Sequence, residues 1–247
     1  MCMSKGHSIL DSITNAFVPI HQDGYKFVLA AALATIVLFL LVPPLGWLVA
    51  IATAWCAYFF RDPERVIPAR KGLVVSAADG KVVGAAAVVP PRELELGSES
   101  RTRVSVFLSI FDVHIVRAPV AGRIVRSHYV PGVFLNAELD KASEDNERRD
   151  LVIETETGEK VGVMLIAGLI ARRIVTFAGE GTSVARGERI GLIRFGSRVD
   201  VYLPPNASVL VGAGQTAIGG ETVLAELANA GAVRQSEIAG QSALIKG

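Results

Sequence analysis

From Phe27 to Phe60 the chain carries no charged side chain, and nothing else in it restricts the fold as strongly. Pro43-Pro44 divides this stretch into Phe27–Val42 and Leu45–Phe60. A helix that crosses a bilayer needs about 20 apolar residues, so each half is short for a span. The proline pair fits a tight helical hairpin, a re-entrant pair or one kinked span. A cleaved signal peptide fits poorly, because its apolar region would be shorter and nearer the N-terminus. A helix pair buried in a soluble core is the alternative. Trp47, Trp55, Tyr58, Phe59 and Phe60 suit a membrane interface, with Lys26 on one flank and Arg61, Arg65, Arg70 and Lys71 on the other. For a hairpin, the positive-inside rule puts both ends in the cytoplasm. The expected organisation is an N-terminal segment 1–26, a membrane-associated hairpin 27–60, a working domain 61–227 and a flexible tail 228–247.

A net charge of +1 gives no reason to expect a nucleic-acid partner. Cys2 and Cys56 show no metal-ligand spacing and give no reason to expect a disulfide, and no Cys/His cluster supports a metal site. After the basic collar the pattern changes to short β runs with regular turn signals. The fold class expected is mainly β, a barrel or hybrid sandwich with few short helices, preceded by the hydrophobic hairpin. Candidate strands are Leu73–Ala77, Lys81–Val89, Arg103–Leu108, Gly122–Tyr129, Leu151–Glu156, Lys160–Ile166, Thr176–Ala178, Ile190–Phe195 and Val199–Leu203. Helical signal is confined to Gly168–Ile174 and a turn near Ile110–Val113. A weak internal repeat matches Gly181, Gly187 and Glu188 to Gly214, Gly220 and Glu221. Gly-Glu before a β run is also what lipoyl- and biotinyl-type carrier domains show.

Three places could carry chemistry. Gly196-Ser197 interrupts two strand patterns. It reads as a kinked strand, or as a bond at which Ser197 Oγ attacks the Gly196 carbonyl, since glycine leaves that carbonyl open and tolerates strain. Asp79-Gly80 reads as a hairpin turn, or as a carboxylate aimed at a histidine. His114 lies in an apolar run beside Asp112 and three residues before Arg117. A buried structural histidine is the common outcome there, and a proton carrier is the other. Arg117 suits a phosphate or carboxylate, or an ion pair. Residue spacing alone leaves these alternatives open.

Taken together, and in order, these segments resemble the phosphatidylserine decarboxylase family in its short bacterial and archaeal form. The resemblance is carried by Phe60–Arg65, Ser76–Val82, Phe111–Pro119, Phe134–Ser143 with Glu147, Ile166–Val175 and Gly187–Pro204. It implies a proenzyme that cuts itself between Gly196 and Ser197, giving a large chain 1–196 and a small chain 197–247. It also implies that Ser197 becomes a pyruvoyl group, the only cofactor, with no metal. The substrate implied is phosphatidylserine in the membrane, decarboxylated to phosphatidylethanolamine. His114 matches the family's proton-transfer histidine, and Asp79 the acid of the self-cleavage set. Longer members carry a second histidine where this chain has Arg117, so His114 is expected to serve both steps, with Asp79 orienting it and Arg117 holding a phosphate or carboxylate. The expected place is the cell membrane, with the catalytic domain on the cytoplasmic side; a homodimer stays open. The competing reading is a membrane-anchored barrel-hybrid adaptor or carrier without catalysis.

Overall fold

A computed structural model describes residues 18–132, 146–168, 173–194 and 197–228. Contacts divide the chain into two units, Met1–Glu64 and Arg65–Gly247. In the first, α1 (Gln22–Leu41) and α2 (Pro43–Phe59) form a helical hairpin. Pro43 lacks the N–H that would extend α1 and is preset for the first turn of α2. The Thr35 and Thr53 hydroxyls meet across the hairpin at 3.0 Å. Gly46 lets the Phe39 ring come close enough that a Cβ there would lie 2.7 Å from Phe39 Cδ1. At the base, His21 N–H donates to the Phe60 carbonyl (2.8 Å) and Asp62 N–H to that of Pro19 (2.8 Å). Phe27 stacks on Phe60 with ring centroids 5.4 Å apart. The outward faces are apolar and bare, with Leu29, Leu33, Leu40, Leu41, Trp47, Leu48 and Ile51 all exposed. The 20 residues of α1 span about 30 Å, the thickness of a bilayer's hydrocarbon core.

The second unit is β throughout its described residues, apart from one 3-10 turn at Arg92–Leu94. Its strands are β1 (Leu73–Val75), β2 (Gly80–Val88), β3 (Arg101–Leu108), β4 (Ile115–Arg117), β5 (Gly122–Val130), β6 (Arg148–Glu154) and β7 (Lys160–Ala167). They continue with β8 (Ile174–Thr176), β9 (Ser183–Val184), β10 (Arg189–Ile193), β11 (Ser197–Tyr202), β12 (Ser208–Val209), β13 (Thr216–Ala217) and β14 (Val223–Glu226). An eight-stranded sheet runs β13-β2-β3-β11-β7-β6-β5-β9, and two three-stranded sheets run β1-β14-β12 and β4-β10-β8. The core lies between them. Val106, Leu108, Leu151, Val163, Leu165, Val199 and Val201 of the large sheet share one buried cluster with Val74, Val116, Ile190, Ile193 and Leu224 of the small ones. The mainly β expectation holds, with a large sheet that is open and has β13 and β9 at its edges. The nine expected strands form, several with shifted ends. The short strands β4, β9, β12, β13 and β14 are additional; of the helical stretch expected at Gly168–Ile174, residues 169–172 lie outside the described residues and Ile174 stands in β8.

The order of strands is symmetric about the β11–β7 pair, and the symmetry extends to single hydrogen bonds. Lys81 pairs with Phe107 and Thr216 as Arg123 pairs with Glu154 and Ser183. Both ladders slip at the same place, between Val82 and Gly84 and between Ile124 and Arg126. Gly214 N–H donates to Val82 O (2.8 Å) as Gly181 N–H does to Ile124 O (2.7 Å). Gly220 N–H donates to Ser76 O (2.7 Å) as Gly187 N–H does to Ala118 O (2.8 Å). Where the halves meet the bonds are reciprocal: Val75 N–H to Pro119 O (2.9 Å) and Arg117 N–H to Ala77 O (2.7 Å). The unit is an internal duplication. One half comprises β1–β3 and β11–β14, and the other, β4–β10, is inserted between β3 and β11. The Gly-Glu repeat of the sequence is part of this, and its four matching glycines, Gly181, Gly187, Gly214 and Gly220, all have positive φ.

The opposite face of the large sheet buries charge. Arg198 grips Asp200 with two bonds of 2.7 and 2.8 Å. Two strands away Arg148 meets Asp150 at 3.3 Å and Glu93 at 3.3 Å. Burial pushes Asp150 up to about 6, against the pull of Arg148, with Glu93 adding to the rise.

Two outcomes follow from this geometry. A Cβ at Gly80 would lie 2.0 Å from Phe107 O, and one at Gly122 2.1 Å from Glu154 O. Gly80→Ala and Gly122→Ala should therefore each cost on the order of 3 kcal/mol in urea unfolding followed by far-UV circular dichroism. A cost under about 0.5 kcal/mol for either would contradict the matched packing. Asp150, raised in the folded state from an unfolded value near ~3.9, binds its proton more tightly when folded. Its effect on stability is most favourable below about pH 4 and declines as pH rises through about 6. Asp150→Asn should gain on the order of 2 kcal/mol relative to the parent between those limits; parallel stability–pH curves would refute the assignment.

Candidate active site

The inserted half creates two junctions, residues 109–114 from β3 to β4 and 194–196 from β10 to β11. The end of β3 and the start of β11 lie at the same end of the large sheet, because Ser197 opens β11 with Leu108 as its partner on one side and Ala167 on the other. Both ladders fix Ser197 in the sheet. The residue is fully buried, and among the described residues its Oγ has no hydrogen-bond partner. Gly196, the other half of the expected scissile bond, lies outside the described residues. Asn146, also buried, donates from Nδ2 to Ala167 O at 2.7 Å, while Ala167 N–H donates to Glu147 O at 2.9 Å. These bonds tie down the end of β7 against which Ser197 sits.

The first junction is a built turn. Ser109 N–H donates to Asp112 Oδ2 (2.8 Å) and Asp112 N–H to Ser109 O (3.0 Å). It delivers His114 as a fully buried side chain whose Nδ1 lies 2.9 Å from the Asp112 carbonyl. A carbonyl only accepts, so Nδ1 carries the proton and the lone pair of the neutral ring is on Nε2. His114 O accepts from Ile193 N–H (3.2 Å), so the histidine sits against the strand that leads into the second junction.

Asp79 closes the turn before β2. Lys81 and Arg198 face Phe107 from either side. The Asp79-Gly80 and Ser197 main chains therefore lie at one end of the sheet, two strand spacings apart, about 10 Å. The Asp79 carboxylate is held by Arg65 Nη2 at Oδ2 (2.6 Å) and by Gly219 N–H at Oδ1 (2.8 Å). Burial pushes its pKa up, Arg65 and the Gly219 bond pull it down, and Asp112 adds a smaller upward push. The ring of His114 is thus oriented by the Asp112 main chain, and both Asp79 oxygens have other donors. Arg117 is buried, with Nη1 donating to Gly187 O at 3.0 Å. Sequence reasoning singled out Asp79, His114, Arg117 and Ser197. It read Arg65 only as part of the basic flank and of the Phe60–Arg65 segment, and it missed Gly219 and the carbonyl of Asp112.

The duplication supplies a second corner of the same shape at the other end of the sheet. There Leu227 N–H donates to Gly72 O (2.8 Å) as Ile193 N–H does to His114 O, so Gly72 stands in the histidine's place. Ala121 precedes Gly122 as Asp79 precedes Gly80, and Glu159 faces Thr155 as Ser197 faces Leu108. An open cleft of about 290 Å³ lies at that corner, lined in part by Lys71, Leu73, Ala121, Thr155, Glu159 and Arg186. At this corner Glu159, Gly72 and Ala121 stand in the places of Ser197, His114 and Asp79.

Compared with known families, the chain matches phosphatidylserine decarboxylase over residues 52–225. The chain belongs to the phosphatidylserine decarboxylase family. It is also 60% identical, over 215 residues, to a phosphatidylserine decarboxylase proenzyme from Nitrobacter winogradskyi, a match that covers 87% of each chain. The family match begins inside α2 and runs to the last β strand, so it takes in both junctions and both corners. Members of this pyruvoyl-dependent family are carboxy-lyases, and the fold described above is the frame this chain gives that chemistry. No group of His, Cys, Asp and Glu suited to a metal ion occurs among the described residues.

Proposed function

We propose that this chain is a membrane-anchored proenzyme that cuts itself between Gly196 and Ser197 and then converts phosphatidylserine to phosphatidylethanolamine and CO2. The observation that carries the reading is the fully buried Ser197 hydroxyl, without a hydrogen-bond partner among the described residues, at the start of a central strand and just past a repeat junction. A buried hydroxyl without a partner is costly to keep for stability alone. It is reasonable in a group that reacts. Removing its oxygen breaks no described side-chain bond, which suits the methyl end of a pyruvoyl group at position 197.

Self-cleavage follows from the chain's own atoms. His114, through Nε2, takes the proton of Ser197 Oγ as that oxygen attacks the Gly196 carbonyl. The carbonyl carbon passes from the Ser197 nitrogen to its oxygen, which gives an ester. Loss of the Ser197 α-proton expels the Gly196 carboxylate and leaves dehydroalanine. Water then replaces its nitrogen, which departs as ammonia. The pyruvoyl group so formed supplies a ketone for the substrate's amine and a conjugated sink for the electron pair left by CO2. In the second reaction His114 again handles the proton, Asp79 supplies fixed negative charge, and Arg117 is the candidate holder of phosphate or carboxylate.

The hairpin suits a substrate that never leaves the bilayer. Basic residues on both flanks support a cytoplasmic location for its two ends and for the catalytic unit. The carrier alternative drew on the Gly-Glu repeat, for which the internal duplication gives a different account.

Intact mass spectrometry under denaturing conditions should find two chains, residues 1–196 and a partner starting with a pyruvoyl group at position 197. Ser197→Ala should give one inactive chain of 247 residues. A single unmodified chain from active wild-type protein would overturn the reading. His114→Gln should fold and cut more slowly by roughly a hundredfold or more, the usual contribution of a positioned proton carrier. Cutting at the wild-type rate would remove His114 from the step.

A further inference from the structure

The corner that carries Asp79 contains a feature the duplicated corner does without. Arg65 reaches in from the segment ahead of β1 and pairs with Asp79 at 2.6 Å, with side chains only 12% and 17% exposed. Gly219 supplies the second donor, and a Cβ at that position would lie 3.1 Å from Asp79 Oδ1. Next to it, Gly220 has φ +84 and leaves room for Ile67, Arg117 and Arg65, since a Cβ there would lie 3.0, 3.1 and 3.6 Å from their nearest atoms. Both carboxylate oxygens are therefore held, one by a charge and one by a main-chain donor.

The second corner acts as an internal control. Ala118–Gly122 follows the same path as Ser76–Gly80, with the same bonds to the rest of its half, yet Ala121 stands where Asp79 does. Arg186 stands where Gly219 does, and its guanidinium goes to the carbonyls of Leu73 and Pro68. The backbone turn forms without acid, clamp or glycine donor. A buried ion pair seldom repays its own desolvation, so stability is a poor reason to keep one where an alanine serves. We infer that Arg65 is a positioning residue of the self-cleavage machinery, one that keeps the Asp79 carboxylate ionised and aimed at the Ser197 end of the sheet.

The inference rests on the self-processing reading given above, and it deepens that reading. The charged groups acting on Asp79 are Arg65, from the segment before β1, and Asp112, from the first junction; the β13–β14 turn offers the neutral N–H of Gly219. Burial and Asp112 both favour the protonated acid, and Arg65 opposes them. Without Arg65 the carboxyl holds its proton to higher pH. If the ionised form is needed, the acid limb of the cleavage profile must then move upward.

The test is the rate at which the full-length precursor disappears, followed by mass spectrometry over a pH series, for wild type, Arg65→Gln, Arg65→Lys and Asp79→Asn. On the acid side of the profile Arg65→Gln should cut roughly tenfold more slowly, the size of effect that one pKa unit represents, with its acid limb at higher pH than wild type. Arg65→Lys should recover most of the rate, because it restores the charge. Asp79→Asn should be slow with no acid limb of this origin. If Arg65→Gln cuts at the wild-type rate, or all Arg65 variants slow equally with an unmoved limb, the inference fails. If Arg65→Gln does not fold, Arg65→Met takes its place over the same pH series: a slower rate with a raised acid limb supports the role, and a wild-type rate or an unmoved limb overturns it. A wild-type precursor that never cuts would sink the self-processing reading instead.

Discussion

The site depends on the two hydrogen-bonded ladders that hold β11. Its six residues pair with β3 on one side and β7 on the other, and the first of them is Ser197. A serine on a free loop would have to be positioned anew for each encounter with a neighbouring carbonyl. Here the sheet fixes its main chain, and the buried core on one face and the Arg198–Asp200 pair on the other fix the strand's register. A slip of one residue would drive Arg198 into the apolar core. The register that places the hydroxyl is therefore enforced along the whole strand.

The duplication explains why chemistry sits at one end. Both halves build a corner with the same backbone, and only the connections differ. Where β6 and β7 are joined by the tight turn Thr155–Glu159, β3 and β11 are ends of separate chain segments, because the second half is inserted between them. The two junctions free that corner from being a hairpin. One brings in His114 and the other carries the bond to Ser197. Symmetry supplies the frame, and the break in symmetry supplies room for reactive groups.

Much of this could be read from the sequence. The charge-free stretch with its proline pair forms the hairpin, and the long strands show in their apolar runs. Strands of two residues such as β9 and β13 carry too little pattern to be seen, since their partners and not their composition make them. The repeat was visible at Gly181, Gly187, Gly214 and Gly220 because positive φ demands glycine at each. Its other member, Leu73–Val82 against Ile115–Ile124, was not visible, since the shared requirement is main-chain geometry and the side chains have diverged at Ser76/Ala118 and Asp79/Ala121. The residues Asp79, His114 and Ser197 were legible as candidates, but their partners were not. Main-chain donors and acceptors such as Gly219 N–H and Asp112 O leave no mark on residue pattern, and the Arg65–Asp79 pair spans a turn that hides it.

A cut after residue 196 would fall between strands that stay interlaced. The smaller product would keep β11 between β3 and β7, β13 on β2 and β14 on β1. The two pieces could not part without opening the eight-stranded sheet and the β1-β14-β12 sheet. Folding of the uncut precursor is unimolecular, with every strand tethered to its partners. Reassembly of the cut form would be a bimolecular search by a fragment whose central strand has no sheet of its own, in competition with aggregation. The mature form would then persist through its slow unfolding, and once melted it would not return.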